Sequence, residues 1–346
     1  MAKVIDPAAL EAATSTVPAA TWLSGEVMSS MPIEQRPHLI QGVIGGPGVY
    51  LMLADPKVGK SRCSLEYCFA VTTGTPLLGR FTTEQGAVLY WQADDTNKSR
   101  FVANYQALTA TANDGRPLPN FEAWIERRSL IEDEGLQLLE NRIQQTGAKL
   151  AVVDCLQAVR GVRTRDFVGQ EFGEIRLFSE MAMRHNCRAL LIHHMASGRR
   201  VTGPNPFVGA AGTFALNGGA DGLAALSIFS MTRTERLVHV TGRDVDGTKF
   251  IYARDTDGRL FFVAGGELAD TWDDAIRLYR TLPDEFLTGK TVGEAIGCSD
   301  RQGRGKLAKL RAAGAVEDLS ERRFVWADSF RQGADRVIRA NAQQEG

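Results

Sequence analysis

The chain has 346 residues, 44% hydrophobic and 23% charged, an ordinary mix that excludes a disordered or fibrous protein. Forty basic against forty-one acidic side chains leave a net charge of -1, so no global field draws it to nucleic acid or to an anionic membrane, and such binding must come from local patches. No apolar run approaches the roughly 18 to 20 residues that span a bilayer, and at roughly 150 residues per domain the length suggests about two domains.

Residues 1–36 are rich in Ala, Ser, Thr and Pro and read as an N-terminal extension that makes a poor signal peptide. From His38 apolar runs alternate with helix-like segments. VYLMLA (49–54), GAVLYWQA (86–93), KLAVVD (149–154) and RALLIHH (188–194) are strands, with a helix over 60–72 after the first. Before the fourth, Phe172, Ile175, Phe178 and Met181 recur near helical spacing. Strands buried on both sides and alternating with helices predict an α/β fold on a parallel sheet. Beyond residue 222 strands follow one another, and Asp246–Gly247 and Asp257–Gly258 mark hairpin turns. An antiparallel edge on the parallel sheet is expected. The segment 268–330 reads as three helices and a hairpin, a small winged helix-turn-helix. The polar stretch 331–346 is expected to be a flexible tail. Cys63, Cys68, Cys155, Cys187 and Cys298 are scattered and form no CxxC, which fits a reducing compartment, the cytoplasm, and argues against disulfides or zinc.

The first strand runs into Ala54-Asp55-Pro56-Lys57-Val58-Gly59-Lys60-Ser61 and then a helix. Backbone N–H groups at a helix N-terminus, with the helix dipole, make an anion hole. Gly59 lets the backbone approach phosphates, Lys60 brings positive charge to them, and Ser61 offers a hydroxyl to a magnesium ion. Pro56, Lys57, Val58 and Arg62 complete the expected nucleotide-binding turn. The usual first glycine of the GxxxxGK[ST] pattern is Ala54 here. Asp154 ends the third of these strands, where ligands sit in open α/β sheets, and would hold magnesium through a water. The second strand ends in Asp94-Asp95. Asp94 is the first choice to polarise an attacking water and Asp95 the alternative. His193-His194 end the fourth. No third ligand stands at metal-like spacing, and strand alternation lets only one of the two face the site; His194 is preferred as the γ-phosphate contact.

These strand ends, in this order, resemble RecA-like ATPases, and more narrowly the RepA-type hexameric helicase group of the AAA superfamily. The residues that carry the likeness are ADPKVGKS (54–61), VTTGTPLLGRF (71–81), VLYWQADD (88–95), LAVVD (150–154), LLIHH (190–194), GAAGTFALNGGADGLAAL (209–226) and GRDVDGTKF (242–250). The resemblance implies a RecA-like core over 37–267 with ATP and Mg2+ as cofactors, and a homo-oligomer, a hexameric ring. It puts Lys60 and Ser61 on phosphate and metal, Asp154 on the metal, and His194 at the γ-phosphate sensor. Asp94 falls where the family has a Glu, one methylene longer, which puts fast hydrolysis in doubt. Ala211 stands where some relatives carry an arginine, and Arg243 resembles the finger that ring helicases extend into a neighbouring site.

In such rings the loops after the third and fourth of these strands face the channel. Here they carry Arg160, Arg163 and Arg165, and Arg199 and Arg200, which suits single-stranded DNA. In the winged segment Arg301, Arg304, Lys306, Lys309 and Arg311, with Arg322 and Arg323, suit duplex DNA. The reading favoured is an oligomeric ATPase that translocates on or unwinds DNA in replication or recombination of a mobile element. The alternative is an ATP-gated DNA-binding regulator or loader with slow hydrolysis; a ring that binds ATP only to assemble is a third.

Overall fold

The computed structural model describes residues 22–32, 36–94, 97–161, 167–195, 206–209, 214–228, 233–320 and 322–345. Chain contacts divide it into two units, Met1–Gln35 and Arg36–Gly346. In the first, helix α1 (Gly25–Ser30) is capped by the Ser24 side chain, which accepts from the Val27 N–H, and it buries none of its residues.

The second unit is built on β1 (Gly48–Ala54), β2 (Val88–Gln92), β3 (Phe121–Ile125), β4 (Leu150–Asp154), β5 (Arg188–His194), β6 (Gly222–Ile228), β7 (Arg236–Gly242), β8 (Thr248–Arg254) and β9 (Leu260–Gly265). They form one sheet in the order β3-β2-β4-β5-β1-β6-β7-β8-β9. The pairings from β3 to β6 are parallel, and those from β6 to β9 antiparallel. The sheet is thus a mostly parallel one with antiparallel strands added at one side, as a RecA-like P-loop core has.

Every residue of β1 is buried because both faces are covered. Tyr50, Met52 and Ala54 face the cluster under α2 (Lys60–Thr73) and α3 (Lys98–Ala112). Val49, Leu51 and Leu53 face the cluster under α4 (Gly135–Thr146), α5 (Leu156–Val159), α6 (Phe167–Arg184) and α7 (Phe214–Gly219). This double burial is why the central strands read as unbroken apolar runs. β3 escapes sequence reading because FEAWI is short and half-exposed, an edge strand. It is tied to the sheet by Trp124, stacked on Trp91 at 4.5 Å.

Beyond β9 come α8 (Glu267–Thr281), α9 (Gly289–Ile296), α10 (Asp300–Ala312), the antiparallel pair β10 (Val316–Ser320) and β11 (Arg323–Trp326), and α11 (Asp328–Glu345). α9 and α10 cross almost backbone to backbone: a Cβ on Gly303 would lie 2.0 Å from the Gly289 carbonyl oxygen. One apolar cluster joins Ile251 and Phe261 of the sheet to Trp272, Leu307, Trp326 and Phe330, so the core continues across the boundary expected at 267. The expected flexible tail is corrected. Residues 331–345 belong to α11, because Phe330, Ala334 and Val337 recur at helical spacing and bury against that cluster. No described helix is long and apolar enough to cross a membrane.

Candidate nucleotide site

The site sits at the carboxyl edge of the parallel strands, on the face covered by α2. Gly59 precedes α2 with φ of 105°, a region that L side chains rarely adopt. Ala54, at the position of the missing glycine, is the last residue of β1. It is wholly buried and in register with His194 and Leu226, so its methyl is core rather than loop. The Lys60 side chain folds back over the turn, and Nζ donates to the carbonyls of Ala54 (3.0 Å) and Asp55 (2.8 Å). Burial lowers the pKa of this ammonium, and Asp154 is the foremost charge opposing that shift.

Asp154 is buried at the end of β4. Its Oδ2 accepts from Ser61 Oγ at 2.7 Å and from the Tyr90 hydroxyl at 2.8 Å. The Tyr90 hydroxyl also meets Ser64 Oγ at 2.9 Å. Burial raises the pKa of Asp154, and the hydrogen bonds from Ser61 and Tyr90 act against it. A hydroxyl and a carboxylate side by side at the mouth of the turn are hard oxygen donors, the set Mg2+ takes. Sequence reading passed over Tyr90, although its place two residues before Gln92 puts it on the face that carries Asp154.

Asp94 follows β2 and is half-exposed, with Oδ2 3.9 Å from His194 Nε2. His193 is 1% exposed and in register with Leu53, while His194 is in register with Ala54 on the nucleotide face. Burial, then the charge of Lys60, lowers the pKa of His194, which favours the neutral ring. Asp94, Cys155 and His194 bring donor atoms within 4.8 Å of one another; sequence spacing could not show this, because they end three different strands. Asp95 lies outside the described residues.

A cleft of about 400 Å³ is lined by Lys60, Ser61, Asp94, Asp154 and His194. Pro56, Lys57, Gly59 and Arg62 also line it, as do Arg100, Phe101 and Asn104 of α3, which sequence reading missed. Arg62 also donates to the Gly258 carbonyl at 2.8 Å. Val58 departs from expectation: its side chain turns into the core, and it does not line the cleft. A second cavity of about 340 Å³, beside Trp91 and Trp124, has charged walls that pair with one another, Arg142 with Glu122 and Arg128 with Glu126.

The profile of a family described as the AAA domain matches residues 13–200, more than half of the 346 residues. The chain belongs to the AAA domain family. No curated protein matches it. This AAA domain carries an ATP-binding P-loop core, and the turn, Ser61 and Asp154 line one cleft in it.

Not every predicted residue comes to the site of the AAA domain. β7 runs antiparallel to β6, so Arg243 lies past its far end, at the sheet edge opposite Lys60, where it pairs with Asp221 at 3.0 Å. Arg160 is 11% exposed and held by Glu171 at 3.1 Å and Glu174 at 2.5 Å; its charge is spent inside the chain, which corrects its reading as a nucleic-acid contact. Arg163, Arg165, Arg199, Arg200 and Ala211 lie outside the described residues. In the C-terminal segment Arg301, Lys309, Arg322 and Arg323 are exposed. Arg304 pairs with Asp300, Lys306 with Asp274 and Arg311 with Asp318.

Proposed function

We propose that this chain is an oligomeric ATPase of the RepA-type helicase group, working as a ring that translocates on or unwinds DNA. The observation that carries the ATPase reading is the meeting of Lys60, Ser61, Asp154, Asp94 and His194 around one cleft at the strand ends. The loop amides around Gly59 and the ammonium of Lys60 bind the triphosphate. Ser61 and Asp154 are the residues that would hold Mg2+, offering it a hydroxyl and a carboxylate oxygen. When bound, the ion neutralises charge on the β- and γ-phosphates. Asp94 takes the proton of the attacking water. His194, neutral, donates to the γ-phosphate. Arg243 serves as the finger only in a neighbour's site, since it stands at the far edge of its own sheet. The C-terminal helices and hairpin form a winged helix that presents Arg301, Lys309, Arg322 and Arg323 to duplex DNA.

The test is ATP hydrolysis with and without single-stranded DNA, beside Lys60→Ala. Stimulated hydrolysis that the variant loses supports the reading; equal rates in the two proteins end it. The alternative, an ATP-gated regulator or loader, draws on the short Asp94 and on the exposed basic residues of the C-terminal segment. Duplex binding without strand separation would select it.

A further inference from the structure

One guanidinium reaches the back of the phosphate loop from far along the chain. Arg236, the first residue of β7, donates through Nε to the Val58 carbonyl at 2.9 Å. Its Nη1 donates to the carbonyls of Arg233 (2.8 Å) and Glu235 (2.9 Å), so the group is locked in place. In a trans peptide the C=O and N–H point in opposite directions. Fixing the Val58 carbonyl on the core side therefore aims the Gly59 N–H away from Arg236, and Gly59 lines the cleft.

The residues beside Arg236 are gripped by the C-terminal helices. Asn341 of α11 accepts from the Thr234 N–H at 2.8 Å and from its hydroxyl at 2.9 Å. Asn341 Nδ2 donates to Glu235 at 2.9 Å, and Trp272 Nε1 of α8 reaches the same carboxylate at 3.4 Å. Glu235 is wholly buried and ion-paired with Arg233, which also pairs with Asp273 of α8. A second route runs alongside: Arg336 of α11 pairs with Asp255 and lies 3.7 Å over the Phe261 ring, while Arg62, next to Ser61, holds the neighbouring Gly258 carbonyl.

We infer that Arg236 is a positioning residue for the phosphate loop, and that α8 and α11 set how firmly it holds. Thr234, Glu235 and Arg236 are consecutive, so a shift of the C-terminal helices moves the peptide that aims the Gly59 amide. Whatever those helices bind is then felt as a change in nucleotide affinity, and nucleotide in turn alters their binding by the same factor. The inference rests on the proposed nucleotide site but does not need the nucleotide to be ATP.

The experiment compares the full-length chain with Arg236→Ala, Arg236→Lys and Asn341→Ala. Amide hydrogen exchange is read over residues 54–61, and binding of a fluorescent ATP analogue with Mg2+ is read alongside. Arg236→Ala should speed exchange of the loop and weaken the analogue about tenfold, the loss of one charged hydrogen bond. Asn341→Ala, remote from the cleft, should speed the same amides and weaken binding about threefold. Arg236→Lys should recover part of both. Unchanged loop exchange in folded Arg236→Ala and Asn341→Ala overturns the inference. If Arg236→Ala does not fold, Arg236→Lys and Asn341→Ala decide it. Should the native chain bind no analogue while loop exchange still responds, the ATPase reading fails and the positioning role stands.

Discussion

The carboxyl edge of the sheet and the C-terminal segment both gather charge, but in opposite ways. At the edge the two charges at the floor of the cleft, Lys60 and Asp154, are buried and shared. Asp154 serves two hydroxyls at once, and Lys60 rests on two carbonyls. In the C-terminal segment the charges are exposed, and several pair with neighbours, as Arg304 does with Asp300. Exposed pairs contribute little to stability, so these side chains remain available to a partner. Buried charge is costly unless it is satisfied. A site that accepts that cost is specialised for one ligand, whereas an exposed basic face suits an extended polyanion.

The contrast breaks most sharply at Lys60. Lys60→Ala should lower hydrolysis by at least about a hundredfold by removing charge stabilisation at the phosphates; steady-state phosphate release reads it. Asp94→Asn should cost about a hundredfold in turnover while leaving nucleotide affinity within about twofold, as loss of a general base does. In the other region Arg322→Ala with Arg323→Ala should weaken duplex binding about tenfold and flatten its salt dependence by about one unit per lost phosphate contact. Fluorescence anisotropy across a salt series measures both, and nucleotide affinity should not change.

Stability sharpens the comparison further. Burial raises the pKa of Asp154 in the folded chain above its unfolded value, so folding disfavours its ionised form. That cost is absent at acid pH and appears as pH rises through the unfolded value. Asp154→Asn should therefore raise the melting temperature of the nucleotide-free chain at pH 7, by about 2 °C for each kcal/mol recovered. The gain should shrink as pH falls toward 4, and Mg2+-dependent nucleotide binding should be lost. Differential scanning calorimetry at several pH values tests the sign. The smallest effect expected is that of Tyr90→Phe, which takes one donor from Asp154 and should raise the Mg2+ concentration needed for nucleotide binding about threefold.

Much of the site could be read in advance because it is written in contiguous residues. The run from Ala54 to Ser61 is a strand, a turn and a helix start, and each is a local property of the chain. Asp154, Asp94 and His194, legible as polar residues ending apolar runs, line the same cleft. Tyr90 and Arg236 were not found. Each belongs to a strand, where an aromatic or a long cation looks like ordinary sheet composition, and its partner is distant: Tyr90 bonds Asp154 64 residues away and Arg236 bonds Val58 178 residues away. Arg160 failed for the reverse reason. A loop arginine reads as free until the helix that carries Glu171 and Glu174 is folded against it.

By itself the sequence determined the four central apolar strands, the helix after the first of them and the turn of residues 54–61 between the two, because hydrophobic period and turn chemistry act over a few residues. Only the tertiary structure decided that β3 would close one edge of the sheet, that residues 331–345 would be a packed helix, that Arg243 would stand at the far edge from its own Lys60, and that the C-terminal helices would hold the peptide bracing the phosphate loop. The reason is that sheet order and the burial of distant partners against each other are set by the packing of the whole chain, and no stretch of residues carries that information alone.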